Sequence, residues 1–171
     1  GLLKGVELAE RDYKGLVIWS PDDPFSYGAD LQALLPVFMS GGAKAIEPVV
    51  KELQQALLRV RYAQVPTVAA VANMALGGGF ELALRCHGIV ALRDAWMQLP
   101  EITLGILPGI GALVVPYRRW PAAATVFHAM LRRAQKLTAV RAHELGILDA
   151  MADDSRTLFE LATARVRALA G

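Results

Sequence analysis

The 171-residue sequence contains a single cysteine, Cys86, so it cannot form a disulfide within the chain. Such scarcity is typical of proteins in a reducing compartment, and we expect a cytoplasmic location with Cys86 in the core. Long hydrophobic runs are also lacking. The most apolar stretch, residues 65–76, is interrupted by Pro66, Thr67 and Asn73. It is too short to span a bilayer, so the sequence predicts no membrane span.

The sequence has little net charge. Its 18 Lys and Arg residues against 16 Asp and Glu residues leave a formal charge of +2. The basic residues are scattered, with short pairs at Arg118-Arg119 and Arg132-Arg133 in place of a continuous stripe. Binding to a nucleic acid depends on many phosphate contacts made from one face. We therefore expect no nucleic-acid partner.

Several functional motifs are missing. The segment Gly109-Ile110-Gly111 lacks the third glycine of a dinucleotide fingerprint, and residues 41–44 lack the spaced glycine of a phosphate loop. No Gly-x-Ser-x-Gly elbow occurs, which argues against a serine hydrolase. We expect no metal site, because the histidines show no metal-ligand spacing. These histidines are His87, His128 and His143.

What the sequence does contain is the alternation of strands and helices that is typical of an α/β fold. Its 54% hydrophobic and 20% charged residues suit one globular domain, which we expect to span residues 1–171. Helical periodicity covers residues 2–12. Short apolar runs predict buried strands at 16–19, 67–71 and 89–92.

Capping residues and glycines define the other predicted boundaries. Asp30 caps a helix, Gly41-Gly42 forms a loop, and Pro48 begins the most amphipathic helix. Residues 77–79, all glycine, turn the chain into a further helix. The segment after Gly111 is expected to be mainly helical. Its predicted N-caps and terminating glycine are Thr138, Asp154 and Gly146.

Two glycine-bearing turns, at Gly28-Ala29 and at residues 77–79, each lie between an extended segment and a helix. Backbone N–H groups in the first turn of a helix have no intrahelical partner and lie at the positive end of the helix dipole. Two such turns that face one point would form an oxyanion hole from peptide groups. Spacing alone favours the alternative, in which both turns are merely tight packing corners.

Two glutamates stand among apolar neighbours. Glu81 lies about one turn into the helix after the glycines, and Glu101 follows Pro100. A poorly solvated carboxylate has a raised pKa unless it is paired, so the two could act as general base and general acid around one water. Alternatively, each glutamate pairs with an arginine such as Arg85 or Arg93.

These segments together resemble the crotonase (enoyl-CoA hydratase/isomerase) family. The matching pieces are FSYGADL at 25–31, ALGGGFELA at 75–83, LPEI at 99–102, GILPG at 105–109, LTA at 137–139 and ELGILD at 144–149. The opening segment, residues 5–18, is similar to the C-terminal crotonase-like domain of long 3-hydroxyacyl-CoA dehydrogenases. The resemblance implies an α/β fold of the crotonase-like ββα spiral type, truncated at the N-terminus and lacking part of the C-terminal helical region.

The resemblance also implies roles for residues at matching positions. Ala29 and Gly78 supply the two oxyanion N–H groups, and Glu81 and Glu101 are the catalytic carboxyls. Further positions are implied to lie against the substrate: Ser26, Tyr27, Gly28, Asp30, Gly77 and Gly109. For Asp30, the residues themselves favour a helix cap over a catalytic acid.

The implied reaction is hydration of a 2-enoyl-CoA to a 3-hydroxyacyl-CoA in fatty-acid β-oxidation. An acyl-CoA thioester is then the substrate, coenzyme A enters only as part of it, and NAD is needed only if a dehydrogenase lies upstream. Two alternatives remain: an enoyl-CoA isomerase, which needs one glutamate, and a non-catalytic domain for acyl-CoA binding or assembly. Family members commonly form trimers, so a homo-oligomer is expected.

This sequence departs from the family pattern at a few positions. Tyr27 replaces a small residue and is expected to narrow the coenzyme A groove. Ile110 and Ala112 stand in a turn that is usually rich in Gly or Thr, which leaves the shape of the acyl pocket open. The chain begins with Gly1 rather than Met, and we expect it to be an excised part of a longer bifunctional protein.

Overall fold

A computed structural model describes residues 1–22 and 24–171. Seven α-helices and seven β-strands lie within those residues. The helices are Leu2–Asp12 (α1), Leu31–Arg61 (α2), Gly78–Arg85 (α3), Val115–Arg119 (α4), Ala124–Arg133 (α5), Ala139–Glu144 (α6) and Ser155–Ala170 (α7). The strands are Leu16–Ile18 (β1), Thr67–Val71 (β2), Met74–Leu76 (β3), Gly88–Leu92 (β4), Trp96–Gln98 (β5), Leu137–Thr138 (β6) and Ala150–Ala152 (β7). Short 3-10 helices cover Pro100–Leu104 and Pro121–Ala123.

The main sheet has four strands in the order β1-β2-β4-β7, and all of them are parallel. Every residue of β2 is buried, and so are the first four residues of β4. Parallel sheets are covered on both faces, which is why these strands read in the sequence as continuous apolar runs rather than alternating ones.

A second sheet contains β3, β5 and β6, in which β3 and β5 are parallel and β6 is antiparallel to β5. Strands β2 and β3 follow one another in the chain but belong to different sheets, and α3 comes next. Strands β4 and β5 repeat this pattern and lead into the 3-10 helix Pro100–Leu104. The repeated strand–strand–helix order is the ββα arrangement, and the expected α/β class is confirmed.

Each face of the main sheet packs against a separate core. Ala69, Val71 and Ile89 point into the larger core, together with Phe80 of α3. Alternate residues of the same strands pack on the other face against Leu158 and Ala162 of α7, and they are Val68, Ala70 and Val90. Since side chains alternate across a strand, the same two strands supply both cores. Helix α3 is thereby held against one face of the sheet.

Most of the predicted elements agree with the structure. Helix α1 covers the predicted residues 2–12, and Asp30 caps α2 by accepting a hydrogen bond from the backbone N–H of Ala33 at 3.1 Å. Thr138 and Asp154 cap α6 and α7 in the same way. The remainder after residue 111 is mainly helical, as expected, but it also contains β6 and β7.

The break predicted at Gly41-Gly42 is confirmed as a kink at Gly42, but the helix start predicted at Pro48 is wrong. Helix α2 runs from Leu31 to Arg61, and Gly42 is the residue inside it with non-helical backbone angles (φ 62, ψ −151). Glycine adopts such angles without a Cβ clash, so the chain changes direction at one residue and resumes the helix at once. Pro48 therefore lies within the second half of α2 and does not begin it.

Among the described residues, α2 is long and apolar enough to cross a membrane by length and composition alone. Its second half buries Leu57 and Val60, and Val60 belongs to the larger core. Arg59 of this half is bound to Glu10 of α1. These contacts tie α2 to the rest of the protein, and the absence of a membrane span stays a prediction.

Candidate active site

The first glycine turn is held against strand β3. The backbone N–H of Ser26 donates to the carbonyl of Met74 at 3.2 Å, and the N–H of Leu76 donates to the carbonyl of Ser26 at 3.0 Å. Gly28 has a φ of 92°, and a Cβ there would lie 2.8 Å from the carbonyl oxygen of Leu76. Only glycine suits this position. The chain then passes Ala29 and enters α2 at its cap, Asp30.

The second glycine turn connects β3 to α3. The N–H of Gly77 donates to the carbonyl of Gln98 at 2.9 Å, which fixes the turn to β5. Gly77 has a φ of 49°, and a Cβ on it would lie 2.8 Å from Oε1 of Glu101. A Cβ on Gly79 would overlap the side chain of Ser26. The turn is thus packed between the first turn and Glu101.

The two turns approach each other closely. A Cβ on Gly28 would lie 3.6 Å from the backbone nitrogen of Gly78, and a Cβ on Gly78 would lie 3.8 Å from the backbone nitrogen of Ala29. Within residues 1–22 and 24–171, neither the N–H of Ala29 nor that of Gly78 donates to an acceptor. Two unpaired peptide donors at adjacent points form the arrangement that stabilises an oxyanion.

Glu81 lies in α3, where its backbone N–H bonds to the carbonyl of Gly77 at 3.0 Å. Its side chain is buried, with 2% of the residue exposed. Oε1 accepts hydrogen bonds from the backbone N–H groups of Ala112 at 2.9 Å and Ile110 at 3.2 Å. Burial raises the pKa of Glu81, and the backbone N–H bonds oppose this rise because they favour the ionised form.

Glu101 is the second residue of the 3-10 helix that follows β5, and it faces the second glycine turn. Its Oε2 is buried and has no hydrogen-bond partner among the described residues. Burial raises the pKa of Glu101 to about 7, and the nearby negative charge of Glu81 contributes to the rise. The charge of Glu81 thus acts on Glu101, which places the two carboxyls near one another.

The alternative in which both glutamates pair with arginines does not hold in the described part of the chain. Arg93 pairs with Asp153 at 2.7 Å. Arg85 donates from Nη2 to the carbonyl of Ile110 at 3.4 Å and acts on Glu81 only as a nearby charge.

The other residues predicted to lie against the substrate differ in exposure and in their hydrogen bonds. Tyr27 is 72% exposed, and Asp30 is an exposed helix cap. Ser26 accepts from the N–H of Gly28 at 3.1 Å, so it holds the first turn in place. The carbonyl of Gly109 accepts from Nε2 of Gln54 at 2.7 Å. Their roles toward a substrate stay predictions.

Two features of the site did not emerge from the sequence. The backbone of Ile110 and Ala112 holds Glu81, and the side chain of Ile110 reaches to 3.2 Å from where a Cβ on Gly78 would lie. The glycines around Ile110 signalled a turn, but no spacing rule connects that turn to a glutamate 29 residues earlier.

The described residues contain no cluster of metal-binding side chains. Cys86 is buried and unpaired, as predicted for a core cysteine.

Comparisons with known proteins identify the family of this chain. The sequence model of the family described as enoyl-CoA hydratase/isomerase matches residues 2–171. A peroxisomal bifunctional enzyme from Cavia porcellus is 38% identical over 152 residues, which cover 87% of this chain and 20% of that protein. A probable 3-hydroxyacyl-CoA dehydrogenase from Bacillus subtilis is 33% identical over 153 residues, which cover 85% of this chain and 19% of that protein.

Among solved structures, an enoyl-CoA hydratase from Polaromonas sp. JS666 superposes with a TM-score of 0.88 at 26% identity. The match covers 99% of this chain and 65% of that one. The chain spans about a fifth of the length of the curated relatives it matches. The glycine turns, the two carboxyls and these matches lead to one conclusion: the chain belongs to the enoyl-CoA hydratase/isomerase, or crotonase, family.

Proposed function

We propose that this chain carries a hydratase site, which adds water across the C2=C3 bond of a 2-enoyl-CoA thioester. The observation that carries the proposal is the meeting of the two glycine turns beside Glu81 and Glu101. Two peptide N–H groups without acceptors lie next to two carboxyls with raised pKa values. A reaction that builds negative charge on one oxygen while protons move nearby needs this combination.

In the proposed step, the thioester oxygen lies between the N–H groups of Ala29 and Gly78. A carboxylate removes a proton from water as the water oxygen bonds to C3, and the electrons of the double bond pass toward the thioester oxygen. A carboxylic acid then donates its proton to C2 as the enolate collapses. The product is a 3-hydroxyacyl-CoA, and exchange with solvent returns both carboxyls to their first state.

The surroundings of the two glutamates favour a division of roles. Glu81 accepts two backbone hydrogen bonds, which stabilise the ionised form that a base needs. Glu101 has a pKa raised to about 7 and a buried oxygen without a donor, so near neutral pH much of it holds a proton. We therefore assign Glu81 as the base and Glu101 as the acid.

Glu101→Gln tests this assignment. The amide keeps the size of the side chain but cannot donate an acidic proton, so hydration of crotonyl-CoA should fall by about 10²–10⁴. Glu144→Gln, at an exposed position on α6, is the matched control and should retain full activity. Normal turnover by Glu101→Gln would contradict the proposed role.

The same preparation separates the alternatives. A 3-enoyl-CoA converted to a 2-enoyl-CoA without hydration would favour an isomerase. Binding of an acyl-CoA in calorimetry with no product from either substrate would favour a non-catalytic domain. Two glutamates at the site favour the hydratase, because moving one proton between C2 and C4 needs only one.

Several wider statements rest on the same proposal. Water addition moves protons and no hydride, so the site itself needs no cofactor, and NAD would serve another part of a longer protein. A role in fatty-acid β-oxidation and a bifunctional parent chain follow by similarity. The cytoplasmic location stays a prediction, and the Cavia porcellus relative is named as peroxisomal. Trimer formation also stays a prediction, which light scattering tests.

A further inference from the structure

A cavity of about 540 Å³ lies beside the loop that holds Glu81. Its wall is formed by the end of α2, by Arg85 of α3, by residues 108–111 and by α4. The loop thus contributes backbone N–H groups to Glu81 and also borders this cavity. Glu81, Glu101, Ala29 and Gly78 do not line the cavity, which shares Gly109 and Ile110 with the surroundings of the proposed hydratase site.

Four arginines line this cavity: Arg61, Arg85, Arg118 and Arg119. No acidic side chain lines it. None of the four arginines forms an ion pair within residues 1–22 and 24–171. The guanidinium of Arg119 donates to three backbone carbonyls, and that of Arg85 donates to one. Carbonyl oxygens satisfy N–H groups but carry no full negative charge, so these two guanidiniums are offset only by carboxylates that they do not bind directly, Glu81 near Arg85 and Asp149 near Arg119.

Two of the four arginines, Arg85 and Arg119, are in unfavourable surroundings. Nε of Arg85 is buried and has no acceptor in the described part of the chain, although buried N–H groups almost always have one. The pKa of Arg119 is lowered to about 10, first by burial and then by the positive charge of Arg61. Concentrated like charge is a feature that an anion in the cavity would relieve.

Much of the remaining wall is apolar, and it includes Leu58, Leu113 and Val114 beside the ring of Tyr62. A wall of this kind accommodates carbon atoms rather than an inorganic ion alone, and 540 Å³ lies within the usual range of small-molecule sites. Arginine forks match phosphate oxygens in pairs, and a phosphate group offsets more charge than one carboxylate. We propose that this arginine pocket binds a phosphorylated organic anion, of the class that includes nucleoside diphosphates.

Calorimetric titration of the 171-residue chain with ADP and with pyrophosphate tests the proposal. Both should bind, ADP more tightly because it also contacts the apolar wall, and added salt should weaken both. Arg61→Gln and Arg118→Gln should each weaken binding roughly tenfold, as expected for the loss of a charged hydrogen bond. Neither side chain holds another part of the structure, so both variants should fold, which circular dichroism checks.

Arg167→Gln is the matched control, because it removes one positive charge from an exposed position on α7. It should leave the affinity for ADP unchanged. If Arg167→Gln lost as much ADP affinity as the pocket variants, the losses would reflect general charge attraction, and the proposal would be overturned. Full ADP affinity in the Arg61→Gln/Arg118→Gln double variant would place the ligand elsewhere and also overturn it. If citrate bound as tightly as pyrophosphate, the pocket would not select phosphate over carboxylate, and the proposed ligand class would be wrong.

Discussion

At the scale of single residues, Glu81 and Glu101 have raised pKa values in different surroundings. Both carboxyls are desolvated, but two backbone N–H groups bind Glu81 whereas Oε2 of Glu101 has no donor among the described residues. The same residue type can therefore serve as base at one position and as acid at the other. The difference comes from the backbone around each carboxyl and not from the glutamates themselves.

Glu101 makes the stability of the protein depend on pH. Its pKa rises from 4.5 to about 7 on folding, so the folded state holds the proton more tightly than the unfolded state. The stability that this group contributes is complete below pH 4.5 and is lost as the pH rises through about 7. Urea unfolding at pH 5 and pH 8 should show a smaller difference in Glu101→Gln than in the wild type.

The Glu144→Gln variant again serves as the control, since it should keep the pH dependence of the wild type. Glu81 also has a raised pKa, so part of the dependence should remain in Glu101→Gln. An unchanged difference between pH 5 and pH 8 in Glu101→Gln would contradict the buried environment described for this carboxyl.

Gly78 offers a second prediction at the residue scale. A methyl group there would lie 3.2 Å from Cδ1 of Ile110 and 3.8 Å from the backbone nitrogen of Ala29. It would occupy the space between the two N–H donors, so Gly78→Ala should reduce hydratase turnover by about 10²–10³ while the chain still folds. Adding Ile110→Ala should relieve the close contact without restoring turnover, as steady-state kinetics would measure.

Gly5→Ala provides the comparison, because no atom lies within 4 Å of a Cβ at that position. It should match the wild type in turnover and be more stable by up to about 1 kcal/mol, because Gly5 lies within α1 and alanine favours a helix over glycine. Wild-type turnover by Gly78→Ala would show that the thioester oxygen does not lie between the turns.

At the scale of elements, α3 carries Glu81 and is held at its C-terminal end by Arg119. The guanidinium donates to the carbonyls of Leu84, Cys86 and His87, and the Arg119 side chain also lies over the ring of Trp120. Carbonyls at the end of a helix have no intrahelical donor, so this arginine satisfies groups that burial would otherwise leave unpaired. Arg119 thus connects α4 to the helix that positions Glu81, the proposed base.

Removing this connection should destabilise the fold. Arg119→Gln cannot reach all three carbonyls, and we expect a loss of about 2–4 kcal/mol in the free energy of unfolding, measured with denaturant. The neighbouring Arg118→Gln should change it by less than about 0.5 kcal/mol, because Arg118 is exposed and its side chain makes no hydrogen bond among the described residues. Equal effects of the two substitutions would argue against a specific role for Arg119.

The elements also show where sequence reasoning works and where it does not. Asp30, Thr138 and Asp154 were predicted as caps, since a cap depends on a side chain and on backbone groups two or three residues away. The break inside α2 was predicted at the right glycines, but its length was overestimated, because a glycine pair reads as a loop when nothing shows that the chain resumes a helix at once. Strand β3 has three residues and is too short for an alternating pattern to emerge.

At the scale of the whole molecule, contacts between segments far apart in the sequence hold the helices together. Glu10 of α1 accepts hydrogen bonds from both terminal nitrogens of Arg59, which stands 49 residues later in α2, and from the N–H of Gln64. The bond to Arg59 is the largest cause of the lowered pKa of Glu10, which is about 2. This cluster attaches the first helix to the body of the protein.

The attachment should fail at low pH. A carboxyl whose pKa is lowered on folding contributes stability above its unfolded value of 4.5, and this contribution is lost as the pH falls through about 2. Glu10→Gln should therefore be less stable than the wild type at pH 7, and the difference should disappear near pH 2. Thermal unfolding followed by circular dichroism measures this.

Glu52→Gln, at an exposed position of α2 with no ion pair among the described residues, should unfold like the wild type at both pH values. A difference between Glu10→Gln and the wild type that is the same at pH 2 and pH 7 would assign the effect to packing instead of charge.

The sequence by itself determined the α/β class, the helix caps, the two glycine turns and the two glutamates, because each depends on residue type and on neighbours within a few positions. Only the tertiary structure decided that the turns meet beside both carboxyls, that Ile110 and Ala112 hold Glu81, and that four arginines surround one cavity. Those arrangements join residues from different strands and helices. Their distances follow from how the two sheets and α3 pack, which spacing along the chain does not encode.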